Sequence, residues 1–533
     1  MAPKNQLPNK KRSPKPSGSR DETQATPPTN IQATTPTNNE QAEIPKHRWT
    51  VMVYLAGDNN LSEECAFDIS EMKAANYCDN GWMQVLVQFD PRSSRLPTQR
   101  FSIKDEIDPI ATKRREKVPP GPTPRYRLGE TSTGSPRTLY DFIVWGIQKY
   151  PAHSYLVVLA GHGGGIEENF LLRDENPNGT ISLREIKDVF RCIHDDFGVV
   201  IDIVGLDTCL MSMAEVAYQL KDNAGILIGS EGYSPLGGWP YRAILEMLSK
   251  QSAGSENRSK EGYDPKVLGA ESRWVAREIV CTYANSYLEY IAGGIDVDQA
   301  AIDITRCDEL TPKVARLASR LKWLLLNPQP NSPFKEALIL AHWDAQSYDG
   351  EIYVDLRDFC DCLMARTVSL NCHDPEIDDA CCDISNLIGE PHYPCSVSER
   401  LDDPNYYVLK SCYTGPSLQY SYGVSLYFPW YEVMPYYGDL DFAQATKWHE
   451  FLQVYVKETR RRRRNDGKAG YRDLLGDPDS TTPIKQSSGK QSSGKDDRPI
   501  IRSMRNPPIA LKGLSNCFDE DKVNWVDKIA GQD

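Results

Sequence analysis

Long apolar runs are missing from this sequence of 533 residues. No stretch approaches the ~20 consecutive apolar residues that a membrane-spanning helix needs, so we expect no membrane span. The beginning, MAPKNQLPNKKRSPKP, is charged and rich in proline, and the apolar segment of a secretory signal does not follow it. Both absences favour a cytoplasmic protein.

A surplus of basic residues is missing as well. The chain has 61 Lys and Arg against 74 Asp and Glu, which gives a formal net charge of -13. Because phosphate backbones attract basic surfaces, we expect no nucleic-acid partner. The run Arg460–Arg464 is a local exception. It could address a nucleus or bind an acidic surface, although a solvated helix end is favoured.

Metal-binding motifs are also absent. The fourteen cysteines are scattered except between Cys360 and Cys395, and this cluster contains no paired CxxC spacing. Zinc binding is one interpretation of the cluster, but buried thiols are favoured because part of it has a helical apolar pattern. No EF-hand loop occurs, so calcium stays open. We therefore predict no metal site and no cofactor.

The N-terminal end of the chain is almost devoid of large apolar residues, whereas the end of the C-terminal segment has some and could act as a short docking peptide. Residues 1–46 are rich in Pro, Thr, Asn, Gln and Lys, and residues 459–533 contain the repeat QSSGKQSSGK. Such segments bury too little apolar surface to offset the entropy of ordering, so we predict two disordered tails. Residues 47–458 then form the folded domain.

Within that domain, short apolar runs alternate with helical periodicity. The runs are Trp49–Ala56, Met83–Phe89, Tyr155–Ala160, Val199–Gly205 and Ile226–Gly229. Between them lie the helix candidates Glu63–Asn76, Thr138–Lys149, Ser182–Phe197 and Met211–Leu220. Strands that are apolar on both faces are typical of a parallel sheet covered by helices, so the pattern predicts an α/β sandwich. Further helices are expected at Ala270–Ile291, Thr311–Leu326, Val354–Ala365 and Phe442–Glu458, and strands at Ala300–Ile304 and Tyr422–Phe428.

Two of the predicted strands end in residues suited to chemistry. The block YLVVLAGHGGG places His162 between glycines, which let a substrate backbone approach closely and offer N–H groups to an oxyanion. The block VVIDIVGLDTCLMSMAEVAYQL places Cys209 between a strand and a predicted helix, where a helix N-terminus would lower the thiol pKa. Because parallel sheets bind ligands at these strand ends, we predict a Cys–His dyad. A buried cysteine and a structural histidine remain the alternatives.

The chain resembles the clostripain family of cysteine peptidases in several blocks. They are WTVMVYLAGDNNL, YLVVLAGHGGG, LDTCLMSMAEVAYQL, SEGYSPLGGWPY, IYVDLRDF and YGVSLYFP. The resemblance extends from about Arg48 to Val456 and implies a caspase-like αβα sandwich with a mostly parallel central sheet. It also implies a cysteine endopeptidase that uses His162 and Cys209 without a third acid. The alternative is a catalytically silent scaffold that acts as a binding or regulatory module.

The resemblance further implies how a substrate binds. Asp207 would help form the primary specificity pocket and favour protein or peptide substrates with Arg, possibly Lys, before the scissile bond. Backbone N–H groups near Gly163 and Cys209 would hold the oxyanion. Many relatives carry another acidic residue in the GxGW turn, where this chain has Gly237 and Gly238.

Other residues near the predicted cleft have both functional and structural interpretations. Glu231 and Trp239 are predicted to bind substrate at the cleft edge, and Tyr241 could line the same pocket; a turn or a local core is the alternative. Asp58 and Asn59 follow the first strand, where a turn and helix cap are favoured.

Several relatives cleave themselves between the His and Cys blocks. The basic residues in that interval include Arg173, Arg184, Lys187 and Arg191. Arg173 is the best candidate because it lies in the polar stretch LLRDENPNG.

Overall fold

A computed structural model describes residues 47–77, 82–92, 96–104, 126–167, 171–252, 270–389 and 406–465. The predicted N-terminal tail and most of the predicted C-terminal tail lie outside these ranges. All described residues fall within one compact unit, Pro45–Asp533. No helix among the described residues is both long and apolar enough to cross a membrane.

The strands and helices alternate along the first half of the chain. The described strands are His47–Gly57 (β1), Met83–Pro91 (β2), Thr98–Ser102 (β3), Tyr126–Gly129 (β4), Ala152–Ala160 (β5), Asp174–Glu175 (β6), Asn178–Gly179 (β7), Ile201–Asp207 (β8), Ala224–Gly229 (β9), Asp298–Asp303 (β10), Ser347–Tyr348 (β11), Tyr353–Asp355 (β12), Val408–Tyr413 (β13) and Ser425–Tyr427 (β14). The described helices are Ser62–Ala74 (α1), Pro136–Lys149 (α2), Leu183–Phe197 (α3), Ala214–Leu220 (α4), Tyr241–Ser252 (α5), Ala270–Ser286 (α6), Cys307–Leu326 (α7), Phe334–Asp344 (α8), Leu356–Ser369 (α9), Pro375–Ile388 (α10), Asp441–Thr446 (α11) and Trp448–Asn465 (α12).

The main sheet has nine described strands in the order β13-β10-β9-β8-β5-β1-β2-β3-β4. Its centre, β9-β8-β5-β1-β2, is parallel throughout. Antiparallel pairs extend the sheet on both sides, β10 and β13 at one edge and β3 and β4 at the other. The five apolar runs of the sequence correspond to these five parallel strands, so the predicted parallel centre is confirmed.

Helices cover both faces of the sheet, as strands that are apolar on both sides require. Val51 and Val53 of β1 belong to a core with residues of α1, α5 and α6. Met52 and Tyr54, which point the other way, belong to a core with residues of α2, α3, α4 and α7. The result is a three-layer αβα sandwich.

Local signals fix several helix ends. The α3 helix begins at a capping box, in which the Ser182 side chain and the Glu185 side chain each bond to the other's backbone N–H. The predicted helix Phe442–Glu458 is divided into α11 and α12, because Lys447 adopts a left-handed backbone conformation with φ 58°. The predicted strand at Tyr422–Phe428 is β14, which pairs with β12 in a separate three-stranded sheet.

The predicted helix start at Met211 is wrong. Leu210 has a left-handed φ of 63°, and the backbone N–H of Ser212 donates to the carbonyl of Ser230 at 2.8 Å. This bond holds the segment 208–213 against the chain after β9 in a non-helical conformation. The α4 helix therefore begins only at Ala214.

Candidate active site

The two strands that carry the predicted dyad are neighbours. β5 and β8 run parallel with Ala160 opposite Asp207, and the N–H of Gly161 donates to the Asp207 carbonyl at 3.3 Å. His162 and Cys209 each lie two residues beyond this last pair. The predicted adjacency of the two strand ends is therefore confirmed, and both residues leave the same edge of the sheet.

Beyond the strands, the two loops are in contact. A Cβ atom added to Gly163 would lie 2.6 Å from the carbonyl oxygen of Cys209 and 2.7 Å from Cβ of Thr208. Only glycine permits this approach, because atoms this close would overlap. His162 and Cys209 are both partly exposed residues, so solvent reaches this edge of the sheet.

The imidazole of His162 contacts a side chain from a third loop. Its Nε2 lies 2.7 Å from Oδ1 of Asn60, which follows β1. Burial and the charge of Arg173 hold the pKa of this imidazole below its usual value. Sequence reasoning missed Asn60. The available signal was its position just after β1, whose residue Leu55 lies opposite Ala160 of β5.

Asn59, the residue before Asn60, forms a turn. Its Nδ2 donates to the carbonyls of Ala56 at 2.9 Å and Arg173 at 2.6 Å, and its Oδ1 accepts from the N–H of Leu61 at 2.8 Å. The favoured turn at Asn59 is therefore confirmed, whereas the expected helix cap is wrong, because α1 begins after Leu61 and has no side-chain cap. Since these bonds tie the loop after β1 to the chain after His162, Asn59 stabilises the position of Asn60.

The environment of Cys209 differs from the prediction. Its Sγ lies 3.8 Å from the carbonyl oxygen of Ser234. Burial, together with the acidic side chains of Asp207, Asp349 and Asp298, raises the pKa of the thiol to about 11. The predicted lowering by a helix N-terminus is wrong, because α4 begins five residues later. The thiol is therefore protonated in this state near neutral pH.

Asp207 is held by two donors at the end of β8. Its Oδ2 accepts from the backbone N–H of Trp239 at 3.1 Å and from the hydroxyl of Tyr241 at 2.9 Å. Burial raises the pKa of this carboxyl to about 6, although both hydrogen bonds act in the opposite direction. The Trp239 ring itself is buried against Gly205, so Trp239 supports Asp207 mainly through its backbone.

Glu231 does not reach the cleft, and its predicted contact with substrate is corrected. Its side chain is 0% exposed, and its Oε2 accepts from the N–H of Gly423 at 2.8 Å. Burial and the neighbouring carboxyl of Asp355 raise its pKa well above the usual value. The Glu231 side chain therefore lies inside the protein, and its hydrogen bond links the segment after β9 to the loop before β14.

The candidate cleavage positions differ in their backbone structure. Arg184, Lys187 and Arg191 lie within α3, where the backbone is hydrogen-bonded and not extended. Arg173 is exposed and lies just before β6. The N–H of Leu172 donates to the His162 carbonyl at 3.0 Å, so Arg173 is near the candidate active site.

No group of three or more His, Cys, Asp or Glu suited to a metal ion occurs in the described ranges. Cys360, Cys362 and Cys381 of the predicted cluster are buried in α9 and α10, whereas Cys395 lies outside the described residues. Cys412 of β13 is in a disulfide.

Comparison with known proteins agrees with this geometry. The model of the clostripain family matches residues 53–455. Clostripain from Hathewaya histolytica is 25% identical over 368 residues, a region that covers 58% of this chain and 65% of clostripain. The chain thus spans slightly less than two thirds of the length of that relative.

Two solved structures are also similar. Iotapain, a secreted C11 cysteine protease from Bacteroides thetaiotaomicron, is 15% identical with a TM-score of 0.50, and the match covers 76% of this chain and 100% of iotapain. A secreted C11 cysteine protease from the same organism, bound to an irreversible peptide inhibitor, is 17% identical with a TM-score of 0.49, covering 75% and 99%. The likeness to iotapain confirms the expected caspase-like sandwich.

Proposed function

This chain belongs to the clostripain family, and on that premise we propose that it is a cysteine endopeptidase with Cys209 as nucleophile and His162 as acid and base. One observation carries the proposal. The two side chains follow the paired ends of adjacent parallel strands, in loops that touch at Gly163, and both are partly exposed. A nucleophile and a base at one solvent-reached edge are what acyl transfer requires.

The protonation states of Cys209 and His162 before substrate binds determine the first step. With the Cys209 pKa near 11 and the His162 pKa below its usual value, both groups are neutral at pH 7. The thiol proton therefore passes to the imidazole as the sulfur attacks the substrate carbonyl. The imidazolium then protonates the departing amine, which leaves a thioester. Finally, His162 activates a water molecule that hydrolyses this thioester and releases the thiol.

The Asn60 side chain and two backbone N–H groups assist in this scheme. Asn60 is proposed as a positioning residue, because its Oδ1 at 2.7 Å accepts from the Nε2–H of His162 and orients the ring. The backbone N–H groups of Gly163 and Cys209 are proposed as oxyanion donors. The close packing of Gly163 on Cys209 supports that pairing, since it brings the two peptide units together.

We propose Arg, and secondarily Lys, as the residue before the scissile bond. Asp207 supplies a buried carboxylate two residues before the nucleophile, held in place by Trp239 and Tyr241. The larger contributions to its pKa come from burial and these two donors, and no Lys or Arg is among them. A buried carboxylate without a cationic partner favours a cation from the substrate.

The experiment compares cleavage of fluorogenic Arg and Lys peptides by the wild type, Cys209→Ala and Cys192→Ala. Cys192 is a matched control, because it is a partly exposed free cysteine of α3. We expect Cys209→Ala to reduce kcat by about 10³-fold or more and Cys192→Ala to leave it unchanged. Equal cleavage by Cys209→Ala would overturn the proposal. A wild type that cleaves neither peptide would favour the silent scaffold.

A further inference from the structure

A hairpin outside the main sheet contacts both loops of the candidate active site. Its strands β11 and β12 pair antiparallel, with Tyr348 opposite Tyr353. On the histidine side, the Tyr353 hydroxyl donates to the carbonyl of Gly164 at 2.8 Å. On the cysteine side, the Tyr348 ring packs on Gly232, where an added Cβ atom would lie 3.4 Å from it, and the Gly232 carbonyl accepts from the N–H of Leu210 at 2.9 Å. The hairpin is therefore fixed at the edge of the sheet where the candidate site lies.

The turn of this hairpin lies beside the candidate nucleophile. Its first residue, Asp349, accepts a hydrogen bond at Oδ1 from the hydroxyl of Tyr233. Tyr233 precedes Ser234, whose carbonyl oxygen lies 3.8 Å from Sγ of Cys209. Tyr233 is 46% exposed, and Asp349 is partly exposed. Tyr233 and Asp349, which we call the rim pair, thus form an accessible surface one residue away from the contact with the thiol.

The turn holds Asp349 in an unfavourable backbone conformation. Asp349, Gly350 and Glu351 have φ values of 49°, 63° and 71°, in the left-handed region that residues other than glycine rarely adopt. Backbone bonds close the turn, because the N–H of Glu351 donates to the Tyr348 carbonyl at 3.1 Å and the N–H of Ile352 donates to the Asp349 carbonyl at 3.4 Å. Strained backbone of this kind concentrates at positions that bind ligands. The turn therefore points to a function for Asp349 beyond closing the hairpin.

The rim pair has the chemistry of a site for an organic cation. Apart from the bond from Tyr233, the Asp349 side chain makes no hydrogen bond and no ion pair with the described residues. Its Oδ2 is therefore available as an acceptor for the N–H groups of a guanidinium or an ammonium. The exposed Tyr233 ring adds a face to which a cation is attracted. A carboxylate and an aromatic ring at one place favour a positively charged side chain over a neutral or acidic one.

We infer that the rim pair is a second substrate subsite, which binds a positively charged side chain next to the basic residue that enters the pocket at Asp207. The inference rests on the proposed function. The donors to Asp207 come from Trp239 and Tyr241, several residues after Tyr233, so the two carboxylates receive different side chains. Successive side chains of an extended peptide point in opposite directions, so a neighbour of the residue in the buried pocket points toward the exposed rim. Substrates with two adjacent basic residues are therefore favoured over substrates with one.

The test measures kcat/KM for three matched peptides. One has a single Arg with citrulline, its neutral isostere, on both sides, and in each of the others one citrulline is replaced with Arg. Mass spectrometry of the products identifies the bond that is cut. The enzymes are the wild type, Asp349→Asn, Tyr233→Leu and the control Glu63→Gln, which changes an exposed carboxylate of α1. Asparagine still accepts the bond from the hydroxyl and tolerates a left-handed backbone, so Asp349→Asn removes only the charge.

The second Arg is expected to raise kcat/KM of the wild type by about 10-fold or more at one of the two positions. This gain should shrink to about 3-fold or less in Asp349→Asn and in Tyr233→Leu, mainly through KM. Glu63→Gln should keep the full gain. The single-Arg peptide should be cleaved by all four enzymes with kcat/KM values within about 3-fold of each other, because it does not use the rim pair.

The outcomes separate this inference from the function beneath it. If the wild type cleaves the single-Arg peptide but gains nothing from a second Arg, or if Asp349→Asn keeps the whole gain, the subsite is refuted and the proposed function stands. A gain that is also lost in Glu63→Gln would come from the overall negative charge and would refute the subsite as well. If the wild type cleaves none of the three peptides, the proposed function fails and the inference falls with it. Tyr233→Leu decides the question if Asp349→Asn fails to fold.

Discussion

At the scale of single residues, the chemistry of the candidate site depends on the neighbours of His162 and Cys209. His162 and Cys209 stand out because each follows a buried strand in an unusual local sequence. The thiol pKa could not be predicted, because it depends first on burial and then on neighbours that include Asp349 and Asp298, which are distant in sequence. Asn60 was missed although it follows β1 directly, because its contact with His162 forms only in the folded chain.

Asn60 offers a prediction about the imidazole. Replacing it with alanine removes the acceptor at 2.7 Å from Nε2, so we expect kcat to fall on the order of 10-fold while KM changes little. Asn60→Asp keeps an acceptor and adds a negative charge, which favours the imidazolium and raises its pKa. The acidic limb of the pH profile of kcat/KM should therefore move to higher pH in Asn60→Asp. An unchanged profile in both variants would mean that Asn60 is purely structural.

At the scale of elements, the central strands were predictable, and the connections between them were not. Runs that are apolar on both faces identified β1, β2, β5, β8 and β9. The α4 helix starts later than its periodicity suggests, because the N–H of Ser212 is hydrogen-bonded to the carbonyl of Ser230 and not within the helix. Glu231 follows a strand end just as His162 does, yet it turns inward. Strand-end position alone does not tell a cleft residue from a buried one.

The Glu231–Asp355 pair predicts how stability depends on pH. Burial raises both pKa values in the folded chain, that of Asp355 to about 7, and the charge of Asp355 raises that of Glu231 further. A raised folded-state pKa contributes stability that is fully present below the unfolded value of about 4 and is lost as pH rises through 7. We expect the unfolding temperature to fall between about pH 4 and pH 8, the interval between the unfolded and folded pKa values. Glu231→Gln, which stays neutral, should make this fall shallower in thermal scans.

Other buried carboxyls also titrate in this range, including Glu215 with a pKa of about 7 and Asp90 with one of about 8. The unfolding temperature of Glu231→Gln should therefore still fall to some extent as the pH rises. If the unfolding temperature of this variant falls as steeply as that of the wild type, the titration of Glu231 does not lower stability in this pH range.

The loop before β6 carries the prediction on self-cleavage. We expect purified protein to be cut after Arg173 over time, because Arg173 is exposed and lies near His162. Arg173→Ala should abolish that cut, and Arg184→Ala, within α3, should not. Gel analysis with N-terminal sequencing of the fragments distinguishes these results. A cut after Arg173 that persists in Cys209→Ala would point to another protease.

At the scale of the whole molecule, the fold follows from a simple requirement. Five strands that are apolar on both faces need helices on both sides, and the structure supplies them in two cores. The sequence could not predict the edge strands β4 and β13 or the helices α8 and α10, because their apolar patterns are short or interrupted by polar residues. These elements complete the sandwich, whereas the candidate site depends on its parallel centre.

We propose above that the sulfur of Cys209, assisted by the imidazole of His162, attacks peptide bonds after a basic residue. A peptidyl chloromethyl ketone that ends in arginine tests it directly, because its alkylation site is found by mass spectrometry of the digested protein. We expect stoichiometric labelling of Cys209, and we expect the rate of this labelling to be much lower in His162→Ala. A label confined to other cysteines, or equally fast labelling of Cys209 in His162→Ala, would contradict it.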